Sequence, residues 1–159
     1  MHLQSEIVVR RPAPQVSAFL GDISNVAKWD RGVSSARQTS AASSTNGVGL
    51  EFDTLAYGDN ADDRARGQMS YRVTEIGPDY SVLELTSTEG NARFFKNARW
   101  TFRLHPHPQG TLIVCAADFQ LRSWYVLLAP VFFSMKSAIR RDLESLKKVL
   151  EKADLPGSR

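Results

Sequence analysis

The side chains best suited to chemistry in this sequence are those of Lys96 and Tyr71, because both lie in segments where apolar and polar residues alternate. Alternation places every second side chain on one face of a strand, so Lys96 shares a face with Trp100 and Phe102, and Tyr71 with Val73. Burial lowers the pKa of a lysine, which would make Lys96 a usable base. The Tyr71 hydroxyl could donate a hydrogen bond to an enolate oxygen. A bulge or a snorkelling side chain at Lys96, and simple packing of Tyr71, are the alternatives.

Four further polar residues are candidates for contact with a bound molecule. Asp30 directly follows Trp29 and is a candidate base. Arg66 begins a strand, where its guanidinium could reach a substrate carboxylate or a carrier phosphate at a pocket mouth. Strand alternation, however, assigns its side chain to the outer face. The hydroxyls of Thr54 and Ser87 lie on the inward face of their strands by the same alternation. The predicted catalytic residues are therefore Lys96, Tyr71, Asp30 and Arg66.

Aromatic residues spread over the same segments predict an apolar lining for a small-molecule pocket. Trp29 lies where the open end of such a pocket would be capped, so it is the aromatic residue most suited to touch a ligand. Core packing explains most of the other aromatic residues equally well. The predicted ligand-binding residues are Trp29, Phe52, Thr54, Ser87, Phe94, Trp100, Phe119 and Met135.

The sequence has no pattern typical of a metal site or of a covalent hydrolase. Of the three histidines, His2 is terminal, and His105 and His107 lie in a proline-broken turn without a third ligand nearby. The single Cys115 excludes an intrachain disulfide and fits a reducing compartment. No G-x-S-x-G nucleophile motif occurs. The residues therefore give no reason to expect a metal.

Alternation with a period of two predicts six strands, separated by glycine- and proline-containing turns such as GPD and HPHPQG. Each strand has one apolar and one polar face, which is typical of an antiparallel meander with one face in water. The strands are predicted at Leu3–Val9, Leu50–Ala56, Gly67–Ile76, Tyr80–Thr88, Ala92–Leu104 and Thr111–Leu121.

Helical periodicity predicts two short helices near the N-terminus and one long helix near the C-terminus. The short helices are predicted at Pro14–Leu20 and Ile23–Lys28, and the long one at Pro130–Lys152. The long helix carries an apolar stripe, which a sheet with one apolar face can cover by curling around it. A sheet of six or seven strands encloses more length than one helix fills, so we expect a cavity closed by the short helices.

Size and composition fit one soluble globular domain. The chain has 159 residues, with 42% hydrophobic and 23% charged residues and a net charge of +3. The C-terminal basic residues alternate with acidic ones as on a solvated helix face, which argues against a nucleic-acid site. The longest apolar run, Trp124–Phe133, is too short to cross a bilayer, so we expect a cytoplasmic protein. One domain is predicted over residues 1–155, with a tail at 156–159.

Over nearly its whole length the chain resembles the helix-grip (START-like, SRPBCC) superfamily, and within it the polyketide cyclase/dehydrase branch. The marks of the resemblance, in order, are Asn25 to Asp30, Gly47-Val48-Gly49, Trp100-Thr101-Phe102, Gly110-Thr111 and Leu143 to Lys147. The resemblance implies an α+β fold, in which a curved antiparallel sheet of about six to seven strands wraps a long C-terminal helix and two short helices cap the cavity. It implies no metal and no organic cofactor.

Two functions follow from the resemblance, since one fold hosts many activities. The first is a polyketide cyclase or dehydratase that directs aldol condensation, dehydration or lactonisation of a flexible hydrophobic chain. A polyketide synthase or its carrier domain would then be a partner. The alternative is a non-catalytic carrier or receptor for a lipid, quinone or steroid. A dimerising or regulatory module that uses Asp53 and the outer sheet face, as in a homodimer, is a third possibility.

Overall fold

A computed structural model describes residues 1–41, 45, 47–56, 67–89, 95–122 and 129–152, the last segment with side chains from residue 136. The strands are β1 (His2–Val9), β2 (Val33–Gln38), β3 (Glu51–Ala56), β4 (Gln68–Ile76), β5 (Tyr80–Glu89), β6 (Phe95–His107) and β7 (Gly110–Leu121). The helices are α1 (Ala13–Gly21), α2 (Val26–Trp29) and α3 (Ala129–Lys152), and a single 3₁₀ turn over Ile23–Asn25 precedes α2.

The described strands form one antiparallel sheet in the order β1-β7-β6-β5-β4-β3-β2. Strands β2 to β7 follow one another as a meander, and β1 closes against β7. The predicted α+β class and the antiparallel meander are therefore confirmed. Strand β2 was not predicted, because its sequence VSSARQ is polar and carries little apolar alternation. It is held by pairing with β3, which is a contact distant in sequence.

Helix α3 lies against β1 and α2 and provides much of the core. Ile139, Leu143, Leu146 and Leu150 are all buried, and they recur at three or four residues, which is the spacing of one helix face. The predicted start at Pro130 is one residue late. The side chains of Val131 and Met135, assigned to the same stripe, lie outside the described residues. Burial of this stripe is the main apolar contribution of α3 to the fold.

The start of α1 and the end of α3 are joined to the β6–β7 hairpin by close polar contacts. Gly110 has a φ of 136°, and a Cβ at this position would lie 2.2 Å from the Val9 carbonyl oxygen, so only glycine fits. Thr111 donates a hydrogen bond of 2.7 Å from its hydroxyl to the Arg11 carbonyl oxygen. The Arg11 side chain donates in turn to the Leu150 carbonyl oxygen at 2.9 Å. This corner fixes α3 across the sheet.

A bulge in β6 overturns one prediction from strand alternation. Phe95 pairs with Leu121 and Asn97 with Gln120, so Lys96 is an extra residue without a partner on β7. Phe95 is buried, whereas Lys96 is exposed. The predicted inward orientation of Lys96 is therefore wrong. The bulge exchanges the inward and outward positions on the N-terminal side of Asn97, so Phe95 faces inward in place of Lys96. Phe94, predicted to face inward, lies outside the described residues.

A second bulge, in β5, moves Ser87 to the outer face. Tyr71 pairs with Leu85 but its neighbour Ser70 pairs with Ser87, so Thr86 is the additional residue. Ser87 then lies opposite Ser70, whose hydroxyl donates to Asp53 at 2.7 Å on the outer face. Ser87 is exposed, and its predicted place in the pocket is wrong.

Most of the buried apolar residues in the described part of the chain belong to one of two clusters under the sheet. The larger one contains the α3 stripe, α1, and the inward residues of β6 and β7, and the smaller one contains Ile23, Phe52, Tyr71 and Val73. Partly buried residues such as Trp100 pack against both clusters. The domain boundary at residue 155 stays a prediction, since residues 153–159 lie outside the described part. No described helix is long and apolar enough to cross a membrane.

Candidate functional site

A cavity of about 240 Å³ lies between the inner face of the sheet, α2 and α3. Its wall is mainly apolar, and its aromatic side chains come from α2 and from four strands. The aromatic lining residues, apart from Tyr71, are Trp29, Phe52, Phe95, Trp100, Phe102 and Phe119. The rings meet at edges and faces in the arrangements that aromatic pairs prefer, with Trp29 against Phe102 at 6.0 Å and Trp100 against Phe119 at 5.3 Å. The wall suits a hydrophobic small molecule.

Five of the eight predicted ligand-binding residues lie in this wall. They are Trp29, Phe52, Thr54, Trp100 and Phe119. The structure does not describe Phe94 or the side chain of Met135, and Ser87 is exposed as stated above. Thr54 is buried, and its hydroxyl donates to the Met69 carbonyl oxygen at 3.3 Å, so within the protein its donor is already satisfied. That these residues contact a ligand stays a prediction.

Tyr71 lies in the cavity wall, on the inward face that strand alternation predicts. The residue is 8% exposed, its ring stacks on Phe52 at 5.5 Å, and its hydroxyl donates to the Met69 sulfur at 3.0 Å. Burial raises the pKa of Tyr71 far above its ordinary value. A hydrogen bond with the Trp100 side chain lowers this pKa, but by less than burial raises it. Tyr71 is therefore a neutral donor whose present acceptor, a thioether, is weak. A carbonyl or enolate oxygen in the cavity would be a better one.

Asp30 places a carboxylate in the apolar wall immediately after α2. Its Oδ1 accepts a hydrogen bond of 2.9 Å from the Gly32 amide, which fixes the side chain. Desolvation raises the pKa of Asp30 from 3.8 to about 6, the neighbouring charge of Asp142 adds to this, and the amide bonds of Gly32 and Val33 oppose it. The carboxyl thus titrates near neutrality, as suits a group that both accepts and returns a proton.

Asp142 on α3 is a second carboxylate in the cavity wall, and sequence reasoning missed it. Its Oδ1 accepts the Arg31 amide at 3.3 Å, and its pKa is raised mainly by desolvation. The surrounding charges of α3 suggested a uniformly solvated face. A sharper signal was present: Asp142 lies three residues after Ile139 and four before Leu146, which places it in the apolar stripe.

Of the two remaining predicted catalytic residues, Lys96 is exposed in the bulge of β6, and Arg66 lies outside the described residues. Within the described ranges no cationic side chain lines the cavity. The same ranges hold no cluster of three His, Cys, Asp or Glu residues that could bind a metal. The polar groups that the structure brings together are Asp30, Asp142, Tyr71, Thr54 and the buried thiol of Cys115.

Replacing Asp30 with asparagine is expected to stabilise the protein above pH 6 and to leave its stability near pH 4 unchanged. The pKa of Asp30 is higher in the folded than in the unfolded chain, so the folded state binds the proton more tightly. The free energy of unfolding therefore falls as the pH rises from 3.8 to about 6. Asparagine keeps the acceptor for Gly32 and removes the charge. We expect a gain of about 3 kcal/mol at pH 7.5.

Urea unfolding of both proteins between pH 4 and pH 8 measures this difference. Asp79→Asn, which changes an exposed carboxylate in the β4–β5 turn, is the matched control and should show no such gain. An Asp30→Asn protein that is equally stable or less stable than wild type at pH 7.5 would mean that the carboxylate is not desolvated.

One family model matches residues 1–151, and its description is polyketide cyclase / dehydrase and lipid transport. No curated protein sequence compared with the chain matches it significantly. The match to the family model covers β1 through all but the last residue of α3, so it includes every described residue of the cavity wall.

Several solved structures share the fold at low sequence identity. The protein TTHA0849 of Thermus thermophilus aligns with a TM-score of 0.74 and 13% identity, over 97% of this chain and 99% of its own. A START superfamily protein from Mycobacterium smegmatis aligns with a TM-score of 0.65 and 14% identity, over 94% of each chain. The Zhui aromatase/cyclase from Streptomyces sp. R1128 aligns with a TM-score of 0.70 and 10% identity, over 95% of this chain and 91% of its own. These similarities establish the helix-grip fold.

Proposed function

The chain belongs to the polyketide cyclase / dehydrase and lipid transport family, and from that premise we propose that it is a cofactor-independent cyclase or dehydratase for a polyketide-like substrate. The observation that carries the proposal is the combination of an apolar cavity with a carboxylate that titrates near pH 6 and a phenol donor in the same wall. An aromatic wall binds the carbon chain, and the two polar groups supply acid–base chemistry.

The first contribution of the cavity is to restrict the conformations of the substrate chain. A free poly-ketone chain has many conformations, and few of them bring a nucleophilic carbon next to its carbonyl partner. Enclosure between the sheet, Trp29 and α3 removes those alternatives, and such positioning alone can lower a barrier by roughly 7 to 11 kcal/mol. The fixed aromatic walls of Phe52 and Trp100 would set which ring forms.

The second contribution is proton transfer. In the proposed step the Asp30 carboxylate removes a proton from a carbon between two carbonyl groups, and the Tyr71 hydroxyl donates a hydrogen bond to the resulting enolate oxygen. The enolate carbon then bonds to a second carbonyl carbon of the same chain, and protonated Asp30 gives its proton to the resulting alkoxide, which restores the carboxylate. For dehydration, the Asp30 carboxylate removes the remaining proton from the same carbon, and a second enolate forms. This enolate collapses to a carbon–carbon double bond as the neighbouring C–O bond breaks, and the hydroxyl takes the proton from Asp30 and departs as water.

A carrier function for a lipid, quinone or steroid is the second candidate, and the family description includes lipid transport. A carrier needs the apolar wall but has no use for a base such as Asp30, whose desolvation costs stability. The presence of this carboxylate in the wall favours the enzyme. We further propose that the substrate arrives from a polyketide synthase or its carrier domain, that the protein is cytoplasmic, and that any homodimer uses the outer sheet face around Asp53.

The reaction can be tested with a linear poly-β-ketone presented as a short thioester, analysed by liquid chromatography and mass spectrometry. We expect the protein to accelerate loss of the linear compound and to narrow the spontaneous mixture to one cyclised product. Unchanged rate and product mixture, together with saturable binding of the same compound, would favour the carrier over the enzyme.

Trp29→Ala is expected to abolish most ligand stabilisation while leaving the free protein folded. A ligand that binds only the native state raises the thermal midpoint, and the Trp29 ring forms the α2 side of the cavity. 2-Naphthalenemethanol, a neutral compound with two rings, can serve as the hydrophobic probe, and differential scanning fluorimetry measures the shift. Tyr80→Ala removes an aromatic ring that lies beside Arg103 and outside the cavity wall, and it is the comparison variant. Equal shifts in wild type and Trp29→Ala would place the ligand elsewhere.

A further inference from the structure

Among the described residues, the charged groups of the cavity wall are all acidic, which restricts the ligands that this part of the wall can accept. Asp30 and Asp142 enter the wall from the end of α2 and from α3 respectively, and the described lining residues include no lysine, arginine or histidine. The charges of Arg31 and Arg141 partly oppose the rise in the pKa of Asp142, but both side chains are exposed, so water screens them. A second carboxylate is also more than the proposed proton transfer needs.

Two carboxylates in an apolar wall cannot both ionise cheaply, because each is desolvated and each disfavours the charge of the other. A ligand carboxylate or phosphate would add a third negative group to the same space. A ligand cation would have the opposite effect, since it compensates both charges and replaces lost hydration with charge-assisted hydrogen bonds. Trp29 and Trp100 also lie in this wall, and a cation over the face of either ring would gain cation–π attraction.

We propose that the ligand of this cavity is a compact hydrophobic molecule with one ammonium group, which Asp142 binds while Asp30 remains free to act as the base. The Oδ1 atom of Asp142 already accepts the Arg31 amide, so the carboxylate is held in place before a ligand enters. The volume of about 240 Å³ is slightly below the usual range for drug-sized ligands, roughly 300 to 1,000 Å³, which favours one or two rings. Under the proposed reaction the substrate would be an amine-bearing polyketide-like chain, but the charge preference itself does not depend on that reaction.

Three naphthalene probes of similar shape test the preference: 2-naphthylmethylamine as the cation, 2-naphthalenemethanol as the neutral form and 2-naphthoic acid as the anion. Their dissociation constants can be measured at pH 7.5 by isothermal titration calorimetry. We expect the amine to bind about 10-fold or more tightly than the alcohol, and the acid to bind most weakly. Equal affinity of amine and alcohol, or tightest binding of the acid, would overturn the proposal.

Asp142→Asn keeps the acceptor for the Arg31 amide and removes the charge, so it should bring the amine to the affinity of the alcohol and leave the alcohol unchanged. Glu144→Gln removes an exposed charge from the same helix and should preserve the preference for the amine. A preference that survives in Asp142→Asn would contradict the assignment to Asp142. If Asp142→Asn does not fold, the wild-type series still decides the ligand charge.

The outcomes separate this inference from the proposed function. Binding of the alcohol without preference for the amine would refute the charge assignment and leave the cyclase proposal standing. A strong amine preference without any conversion of a poly-β-ketone would support the charge assignment and refute the cyclase proposal. If none of the three probes binds, both proposals fail, because both require a cavity that accepts hydrophobic molecules.

Discussion

Leu146→Ala is expected to lower the free energy of unfolding by about 2 to 5 kcal/mol, which is a large part of the stability of a domain of this size. Leu146 is completely buried in the α3 stripe, among the larger of the two core clusters. Alanine is a good helix former, so the loss measures packing against the sheet rather than helix propensity. Urea unfolding followed by circular dichroism gives the difference.

Lys148→Ala is the control for this experiment, since Lys148 lies on the exposed face of the same helix. It should change stability by no more than about 0.5 kcal/mol. If Leu146→Ala and Lys148→Ala have equal effects, the buried face of α3 has been assigned incorrectly.

Asp30→Asn and Tyr71→Phe are each expected to slow product formation about 100-fold or more while leaving the fold and substrate binding intact. Asparagine keeps the hydrogen bond from Gly32 but cannot take a proton, and phenylalanine keeps the stacking on Phe52 but has no hydroxyl. Initial rates with the linear poly-β-ketone thioester measure the loss. For Asp30→Asn the lower activity should accompany higher stability at pH 7.5, which is common where a catalytic group is desolvated.

Lys96→Met is the matched control for these variants, because Lys96 is exposed in the β6 bulge. It should retain the wild-type rate. Wild-type rates in Asp30→Asn and Tyr71→Phe would mean that positioning alone explains catalysis, whereas loss of binding would indicate that the two side chains have structural roles.

Most of the fold was predictable from the sequence, because its signals are local. The α3 stripe repeats at three and four residues along the helix, and β4 to β7 are each nine residues or longer, with apolar and polar side chains that alternate outside the bulges. The aromatic lining was largely predictable for the same reason, since Trp100 and Phe119 lie on the apolar faces of long strands. Strand β2 was not, because it depends on pairing with β3 rather than on its own side chains.

Bulges limited the prediction of the site. Alternation assigns a face to each residue only while the register is unbroken, and one extra residue in a strand reverses every assignment beyond it. Lys96 and Ser87 lie at or beyond such residues, whereas Tyr71 and Thr54 lie on the side where parity holds. The extra residues appear only in the pairing with the neighbouring strand, which the sequence of one strand does not contain.

The sequence by itself determined that this chain forms an antiparallel sheet and a long amphipathic helix around an apolar interior, because these features follow from the periodicity of its side chains. Only the tertiary structure decided which polar groups share that interior. Asp30 and Asp142 are 112 positions apart, and they meet because α2 packs against α3. Their raised pKa values come from desolvation in that shared wall, which is a property of the packed molecule and not of either residue.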